Sequence, residues 1–396
     1  MKIHNISWEA ELDLDLVNSS VQEAIASKRL FRYQFKDTDS HVNKLEKTIA
    51  SYVNSNFALG VSSATNAIFL ALKSVGVEQN SKVLIPSFTF TAVPSAVIQC
   101  GGEPVLVDIT SEYVIDLEDL ECKIVKSGAK YLLLSHMRGH LCDMDEVIRI
   151  CKKYSIILIE DAAHALGVKW KGKHAGTYGL AGIYSLQSYK VINAGEGGLL
   201  VTNEADIFWK SVFMSGSYEN NYLLHSNKGI DKAEKYINKL PVFNVRMNNI
   251  TASLAIPQVK NIELKVEKTN KNYFRFIKLM AESSLITFPE NQEEVRPVRD
   301  SVQMRIELNE LLLVQLKEEL QKAGIPISFF GGINNTNARL YTNWGFLNNS
   351  KHEVPNTTKY LSNVFDLRLP LHFTTENIDT IASVFLEVLK KISSGK

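Results

Sequence analysis

The sequence contains few cysteines and no long apolar run. Its four cysteines, Cys100, Cys122, Cys142 and Cys151, form no CxxC pair and lack zinc-ligand spacing. We therefore expect reduced thiols in a cytoplasmic protein, and no metal site. No stretch of about 20 apolar residues is available to span a bilayer, and the acidic N-terminal stretch does not resemble a signal peptide. With a formal net charge of +1, no overall field favours nucleic acid or a membrane surface as a partner.

Strand-like and helix-like segments alternate along the chain, whose composition is that of an ordinary globular protein. Short apolar runs predict buried strands of a mainly parallel sheet at Lys82–Ile85, Pro104–Val107, Tyr131–Leu134 and Ile156–Ile159. Apolar spacing and capping residues predict helices over Ala64–Val75, Asp143–Tyr154, Ile250–Thr269, Asn309–Ala323 and Ile378–Ile392. Such alternation indicates an α/β layered fold.

Two domains fit this organisation. We predict a large α/β domain over residues 1–265, which includes the N-terminal segment, and a smaller C-terminal α+β domain over residues 266–396. The polar stretch Gly216–Leu240 is expected to be mainly loop. Pro257 is expected to kink the predicted helix Ile250–Thr269, within which it lies.

The segment Ser185–Gly198 carries the strongest chemical signal. Lys190 stands before the glycine-rich stretch Gly195–Gly198, which leads into an apolar run. Enzymes that use pyridoxal phosphate (PLP) need an amine that forms and exchanges an imine with the cofactor aldehyde. Taken alone, a lysine is more often a solvated surface residue, and glycines often serve tight turns.

Acidic and imidazole side chains follow the run Ile156–Ile159. Asp161 is expected at the carboxyl end of a parallel strand, where ligands bind, and its carboxylate can pair with a protonated pyridine nitrogen. The alternative for Asp161 is a helix N-cap. His164 can form a hydrogen bond to the cofactor, although a core histidine with satisfied hydrogen bonds is an equal alternative.

Two earlier segments add a phosphate site and an aromatic face. Ser62–Asn66 places small and hydroxyl side chains at a helix N-terminus, which suits a phosphate, although Ser and Thr cap many helices. Phe90 follows a strand and offers a face for a cofactor ring, although a single Phe is more often core filler.

In this order the segments resemble the DegT/StrS group of PLP-dependent sugar aminotransferases. The motifs that carry the resemblance are Ser63-Ala-Thr65, Thr89-Phe90, His136 to Asp145, Glu160 to His164, and Ser185 to Gly198. The resemblance covers residues 40 to 265 and returns at Leu369–His372, which looks like the family's closing strand.

The resemblance implies PLP fold type I, the aspartate-aminotransferase-like fold, and a homodimer with sites at the interface. Lys190 would hold the cofactor as a Schiff base and shuttle protons, and Asp161 would pair with the pyridine nitrogen. Asn244 would touch the partner's phosphate, with Arg246 a second candidate. The cofactor-binding residues implied are Ser63, Ala64, Thr65, Phe90, Asp161, His164, Ser185, Gln187, Lys190, Asn244 and Arg246.

The activity implied is amino transfer from an amino-acid donor, commonly Glu or Gln, to a ketone or aldehyde of a sugar, cyclitol or related metabolite in a biosynthetic pathway. An alternative keeps PLP but predicts a racemase, a lyase or a carbon–carbon bond-forming enzyme acting on an amino acid. A third possibility is a binding or regulatory protein that retains the fold.

Two departures from the family pattern bear on the substrate. Arg138 stands before Gly139 where an aromatic residue is usual, and His140 follows. Because arginine can grip a carboxylate with two parallel hydrogen bonds, we predict a substrate that carries one. The alternative is a salt bridge from Arg138 to phosphate or to a nearby acid such as Asp143. In the unusual segment 327–344, Arg339, Tyr341 and Trp344 either face the site or pack the small domain.

Overall fold

A computed structural model describes residues 3, 6–35, 39–226, 228–290, 292–332, 335–347 and 353–395. Of the substrate segment 327–344, Ile333 and Asn334 lie outside these ranges. The described strands are β1 (Phe57–Val61), β2 (Lys82–Pro86), β3 (Glu103–Val107), β4 (Tyr131–Ser135), β5 (Ile157–Asp161), β6 (Lys169–Trp170), β7 (Lys173–His174), β8 (Ala181–Ser185), β9 (Gly198–Thr202), β10 (Ile286–Thr287), β11 (Val295–Arg296), β12 (Ser301–Ile306), β13 (Ser328–Phe329) and β14 (Val364–Arg368).

Helices cover both faces of the main sheet and one face of a smaller sheet. The described α-helices are α1 (Leu14–Ala26), α2 (His41–Val53), α3 (Ala64–Ser74), α4 (Ala92–Gln99), α5 (Leu117–Ser127), α6 (Met144–Tyr154), α7 (Ala205–Ser215), α8 (Ile230–Ala233), α9 (Asn249–Val259), α10 (Ile262–Met280), α11 (Glu310–Lys322), α12 (Pro355–Leu361) and α13 (Thr375–Ser393).

The main sheet has seven strands in the order β1-β9-β8-β5-β4-β2-β3, and β9 alone runs against its neighbours. The predicted α/β architecture with a mainly parallel sheet is therefore confirmed. Both faces are buried: in β4, Leu132 and Leu134 face the core that includes α2, α5, α6 and α9, whereas Leu133 faces the core that includes α3, α4 and α7. This explains why the parallel strands are continuous apolar runs.

One edge of this sheet collects the motifs that the sequence singled out. Because the parallel strands share a direction, the segments after β1, β2, β4, β5 and β8 all leave at the same edge, where β9 begins. The carboxyl edge of a parallel sheet is where ligands bind. The fold thus brings together segments separated by more than 100 residues of sequence.

A smaller antiparallel sheet, in the order β10-β12-β14-β13, packs against α10, α11 and α13 around its own core. The predicted boundary at residues 265 and 266 falls inside α10. Trp8, from the N-terminal segment, packs on this second core and contacts the ring of Phe373 edge-on.

Most predicted elements near the site are present with shifted ends, and two predictions were wrong. The single helix expected over Ile250–Thr269 is divided into α9 and α10, which are separated at Lys260 and Asn261. Leu369–His372 was expected to be a strand, but β14 ends at Arg368. Leu369 instead donates its backbone N–H to the carbonyl of Asp300 at 2.7 Å, and the chain then turns toward α13.

Two properties of the described residues bear on membrane and metal binding. No helix within these ranges is both long and apolar enough to cross a membrane. Nor does this part of the chain hold a group of three or more His, Cys, Asp or Glu side chains arranged for a metal ion.

Candidate active site

Lys190 and His164 meet at the carboxyl edge of the main sheet. The Lys190 amine lies 2.9 Å from Nε2 and 3.2 Å from Nδ1 of His164. Burial lowers the pKa of Lys190 to about 7, and burial also lowers the pKa of His164 well below its usual value. The amine is therefore substantially uncharged near neutral pH and stands beside a neutral imidazole.

Asp161 ends β5 with its carboxylate buried. One carboxylate oxygen accepts a hydrogen bond from the Ser135 hydroxyl at 2.7 Å, and the other accepts from the Ala163 backbone N–H at 3.1 Å. Thr89 donates in turn to Ser135 at 2.8 Å. Burial raises the pKa of Asp161, while these hydrogen bonds and the Lys190 charge oppose the rise. A cation placed against this carboxylate, such as a protonated pyridine nitrogen, would favour its charged form.

Glu160, next to Asp161, points to the other side of β5 and has a structural role. Its carboxylate accepts hydrogen bonds from the backbone N–H groups of Gly176 at 2.8 Å and Gly179 at 2.7 Å, and lies 2.9 Å from Nε2 of His136. The two neighbouring acids are thus separated by strand alternation, one toward the site and one into a turn.

The turn after β1 has the features of a phosphate site. Ser63 caps α3 by accepting from the Asn66 N–H at 3.2 Å, and no described residue accepts from the N–H groups of Ala64 and Thr65. Gly198 lies directly against this turn, since a Cβ there would be 2.3 Å from the Ser63 carbonyl carbon. Free N–H groups at a helix N-terminus suit an anion.

Ser185, Gln187 and Phe90 border the same region. Ser185 pairs with Gly198 across β8 and β9, which places its hydroxyl at the edge near the phosphate turn. The Gln187 side chain accepts from the Tyr189 N–H at 3.0 Å and so shapes the loop that carries Lys190. Phe90 is 43% exposed, which is unlike core filler and leaves its ring face open to a planar group.

Asn244 and Arg246 lie in a segment that pairs with the end of β1. The Ser62 N–H donates to the Val245 carbonyl at 2.8 Å, so this segment runs beside the phosphate turn of its own chain. Arg246 donates to the Gly216 carbonyl at 2.8 Å. Asn244 is exposed, with a left-handed φ of 54°. No contact of either side chain with Lys190 or Asp161 is found among the described residues.

Arg138 is buried after β4 and forms an ion pair with Asp366 of β14. The predicted alternative, a bond to an acid, is therefore present, but the acid is not Asp143. That residue instead caps α6, accepting from the N–H groups of Asp145 at 2.9 Å and Glu146 at 3.0 Å. Sequence distance favoured Asp143, whereas Asp366 is 228 residues away.

His140 joins the same buried network. Its Nε2 lies 2.7 Å from the Gln303 side-chain oxygen, and its Nδ1 lies 3.2 Å from a guanidinium nitrogen of Arg299. Nε2 therefore carries the proton and Nδ1 accepts, because an amide oxygen only accepts and a guanidinium only donates. Burial, with the Arg299 charge, lowers the pKa of His140 to about 3.

The remaining predicted substrate residues divide between two places. Burial and the neighbouring positive charges lower the pKa of Arg339 to about 10, and Arg138 and Arg368 are among those charges. Tyr341 lies in a separate cavity of about 420 Å³ and contacts the Thr358 hydroxyl at 3.2 Å. Trp344 is buried and packs against the core of the main sheet.

Sequence reasoning missed Asp300, Asp366 and Arg368. A cavity of about 390 Å³ is lined by Lys190, Asp300 and Arg368, and Arg368 donates to the Tyr189 carbonyl at 2.6 Å. For Asp366 and Arg368 the available signal was alternation, because polar and apolar residues alternate along β12 and over residues 365–368 of β14.

Comparison with known proteins gives relatives of similar sequence. GDP-perosamine synthase of Caulobacter vibrioides is 31% identical over 221 residues, 56% of this chain and 56% of the relative. The 3-amino-5-hydroxybenzoate synthase of Amycolatopsis mediterranei is 29% identical over 240 residues, 60% of each chain. The chain thus spans less than two thirds of the length of these relatives.

Solved structures match almost the whole chain. The structure of 3-amino-5-hydroxybenzoic acid synthase has a TM-score of 0.83 at 23% identity, covering 98% of this chain and 99% of the other. An aminotransferase from Psychrobacter cryohalolentis has a TM-score of 0.84 at 20% identity, covering 98% and 99%. The predicted PLP fold type I is thereby confirmed. The family model described as the DegT/DnrJ/EryC1/StrS aminotransferase family matches residues 19–386, and the chain belongs to that family.

Proposed function

We propose that the protein is a PLP-dependent aminotransferase. It moves an amino group from an amino-acid donor, Glu or Gln, to a ketone or aldehyde of a sugar, cyclitol or related metabolite in a biosynthetic pathway. The observation that carries this proposal is the Lys190 amine, whose pKa is lowered to about 7, standing 2.9 Å from His164 near Asp161. An amine that is about half free base at neutral pH can exchange an imine and move a proton.

The residues present fit pyridoxal phosphate. The open N–H groups of Ala64 and Thr65, with Ser63 and Ser185 beside them, would hold the phosphate. Asp161 would hold the pyridine nitrogen, and Phe90 would cover one face of the ring. Gly198 allows the phosphate turn to lie against β9, because a Cβ at position 198 would overlap the backbone of Ser63 and Ala64.

Each side chain then has a defined task. The bound cofactor supplies an electron sink that stabilises negative charge at the substrate carbon. Lys190 takes the proton from that carbon and returns it, because with its pKa lowered to about 7 a large fraction of the amine is uncharged near neutral pH and can accept. His164, which stays neutral, orients the amine by hydrogen bonding. Asp161, fixed by Ser135, keeps negative charge at the pyridine end of the site.

The names of relatives support amino transfer over the other PLP chemistries. One relative, 30% identical over 195 residues, is the L-glutamine:scyllo-inosose aminotransferase of Streptomyces griseus. Its name gives glutamine as one substrate and an inosose as the other. GDP-perosamine synthase names an amino-sugar nucleotide. Both are consistent with an amino-acid donor and a sugar or cyclitol acceptor for this chain.

We propose further that the enzyme is a cytoplasmic homodimer with shared sites, and that it has no nucleic acid or membrane partner. The exposed, left-handed Asn244 supports a contact with the neighbouring subunit's phosphate, with Arg246 behind it. Four free cysteines support a reducing compartment. The division into a domain of residues 1–265 and a domain of residues 266–396 is part of the same proposal, with α10 crossing the boundary.

A spectrum of the holoenzyme tests the proposed reaction. Adding Glu or Gln should bleach the visible cofactor band and leave the pyridoxamine form, and a keto acceptor should restore the band. Lys190→Ala should abolish the change, with circular dichroism confirming that the variant folds. A racemase or lyase would regain its band with no acceptor. If none of the common amino acids bleaches the band lastingly, the proposal is wrong.

A further inference from the structure

The polar face of the smaller sheet lies against the site. Side chains alternate along β12 and β14: Val302 and Leu367 point into the C-terminal core, whereas Gln303, Asp366 and Arg368 point the opposite way. Gln303 and Asp366 are each only 2% exposed, so this polar face is covered by protein and does not face water. The Asp366 carboxylate accepts a hydrogen bond from the Gln303 side-chain amide at 2.7 Å and forms an ion pair with Arg138 of the large domain.

Arginine side chains on both sides of this contact have unused donors. Arg138, which is 3% exposed, bonds to Asp366 through Nη2, while its Nε and Nη1 are buried without a partner among the described residues. The Nε atoms of Arg339 and Arg368 are buried in the same condition. Because buried N–H groups in proteins nearly always have an acceptor, these donors are available to an acceptor group on a ligand.

These guanidinium groups act on the reacting amine or on the histidine beside it. Burial and then the Lys190 charge lower the pKa of His164 most, and the positive charges of Arg138, Arg339 and Arg368 lower it further. Arg138 and Arg368 act on Lys190 in the same direction, and Arg368 lines the same cavity as Lys190. An acceptor group bound by the three arginines would therefore lie close to the reacting centre.

Charged groups of both signs surround the amine and its neighbours. The charged groups that interact there are the guanidinium groups of Arg138, Arg299, Arg339 and Arg368 and the carboxylates of Asp161, Asp300 and Asp366. His140 and His164 are neutral, because burial lowers the pKa of each. After the larger effect of burial, Asp300 and Asp161 raise the pKa of the Lys190 amine, whereas Arg138 and Arg368 lower it.

The cofactor phosphate is not the group that would accept hydrogen bonds from these arginines. Arg138 follows β4, which lies two strands from β8 and four from β1 in the sheet order, on the far side of β5 from the phosphate turn. With neighbouring strands about 4.8 Å apart, β4 is roughly 10 Å from β8 and roughly 19 Å from β1. The phosphate turn and the arginines therefore serve different groups.

We propose that Arg138, Arg339 and Arg368 form a subsite for a carboxylate on the carbonyl acceptor. This rests on the proposed aminotransferase function. Guanidinium groups match a carboxylate through paired N–H donors, and Arg138 keeps two such donors unused. Arg138 and Arg339 also stand in the two segments that depart from the family pattern.

The test compares two sugars that differ by a carboxylate, D-glucuronate and D-glucose, as probes titrated into the holoenzyme by calorimetry. We expect glucuronate to bind at least about tenfold more tightly than glucose. Arg339→Gln should remove most of that preference, and Arg138→Gln should do the same. Arg339→Gln is the safer variant, because Arg138→Gln takes a charged partner from buried Asp366. Arg275→Gln, in an exposed pair with Asp379, is the matched control and should keep the preference.

Two results would overturn the subsite. One is equal binding of the two sugars, including no measurable binding of either. The other is an Arg339→Gln variant that slows the bleaching by glutamate as much as it weakens glucuronate binding, which would assign the arginines to the donor. Failure of the proposed function looks different: Glu and Gln would then leave the visible band of the unmodified holoenzyme unchanged, whatever the two sugars do.

Discussion

Nζ of Lys190 lies 2.9 Å from Nε2 of His164, and burial lowers the pKa of that amine to about 7. Because only the free amine attacks an aldehyde, the rate at which the apoprotein captures pyridoxal phosphate should rise as the pH increases from about 6 to about 8. A solvated lysine would continue to gain rate toward a pKa of about 10.4. Stopped-flow absorbance at the cofactor band measures the profile, and a rate still rising steeply above pH 9 would contradict the lowered pKa.

Gly198 should tolerate no side chain, because a Cβ there would lie 2.3 Å from the Ser63 carbonyl carbon and 2.4 Å from the Ala64 nitrogen. Gly198→Ala must displace the phosphate turn, so we expect cofactor affinity to fall at least about tenfold, or about 1.4 kcal/mol. Overpacking should also cost about 1–3 kcal/mol of stability. Equilibrium titration with pyridoxal phosphate measures the affinity. Gly345→Ala is the control, because nothing lies within 4 Å of its added Cβ; equal effects of the two substitutions would contradict the account.

The Arg138–Asp366 pair should matter for stability because both side chains are buried. Asp366→Ala leaves the guanidinium without a charged partner, and we expect a loss of about 3–5 kcal/mol in the free energy of unfolding. Asp379→Ala removes one half of the exposed pair with Arg275 and should cost only about 0–1 kcal/mol. Urea unfolding followed by circular dichroism compares the two. Similar losses for both variants would mean that Asp366 does not hold a buried charge.

The same pair predicts a pH dependence. Although burial opposes it, the Arg138 charge holds the pKa of Asp366 below its usual range. This stabilisation is fully present above the unfolded-state pKa of about 3.9 and is lost as the pH falls through the lower folded-state pKa. The stability difference between the unmodified protein and Asp366→Asn should therefore shrink as the pH falls below about 4. A constant difference would be inconsistent with a charged Asp366.

His140 should remain neutral throughout the physiological range. Burial and Arg299 lower its pKa to about 3, so the folded protein binds fewer protons at this site than the unfolded chain between about pH 3 and about pH 6.5. Its contribution to stability is therefore constant above about pH 6.5 and declines as the pH falls toward 3. Nuclear magnetic resonance of the imidazole should show Nε2–H and no titration between pH 5 and 8. A midpoint near 6.5 would overturn this assignment.

Local sequence predicted much of the site because parallel strands are buried on both faces. The runs Val83–Ile85 and Ile156–Ile159 are short and wholly apolar, so the existence of these strands, and the exit of Asp161 at a carboxyl end, followed from the local pattern. Ser63 was likewise recognisable as a cap from its place before an apolar helix. These features depend on neighbours within a few residues.

What escaped prediction depends on distant contacts. The partner of Arg138 is 228 residues away, and nothing near Arg138 in sequence distinguishes Asp366 from the closer Asp143. The tightness at Gly198 arises only when β9 lies against the turn after β1. Gln303 and Asp366 occupy polar positions of β12 and β14, yet they are buried because the large domain covers them. Tertiary packing, which local patterns do not encode, decides such cases.

The most direct measurement is borohydride reduction of the holoenzyme followed by peptide mapping. The account predicts a single pyridoxyl adduct on the peptide that contains Lys190, together with loss of the visible band, and no adduct in Lys190→Ala. Protein that stays colourless with added pyridoxal phosphate, or an adduct on a different lysine, would contradict it.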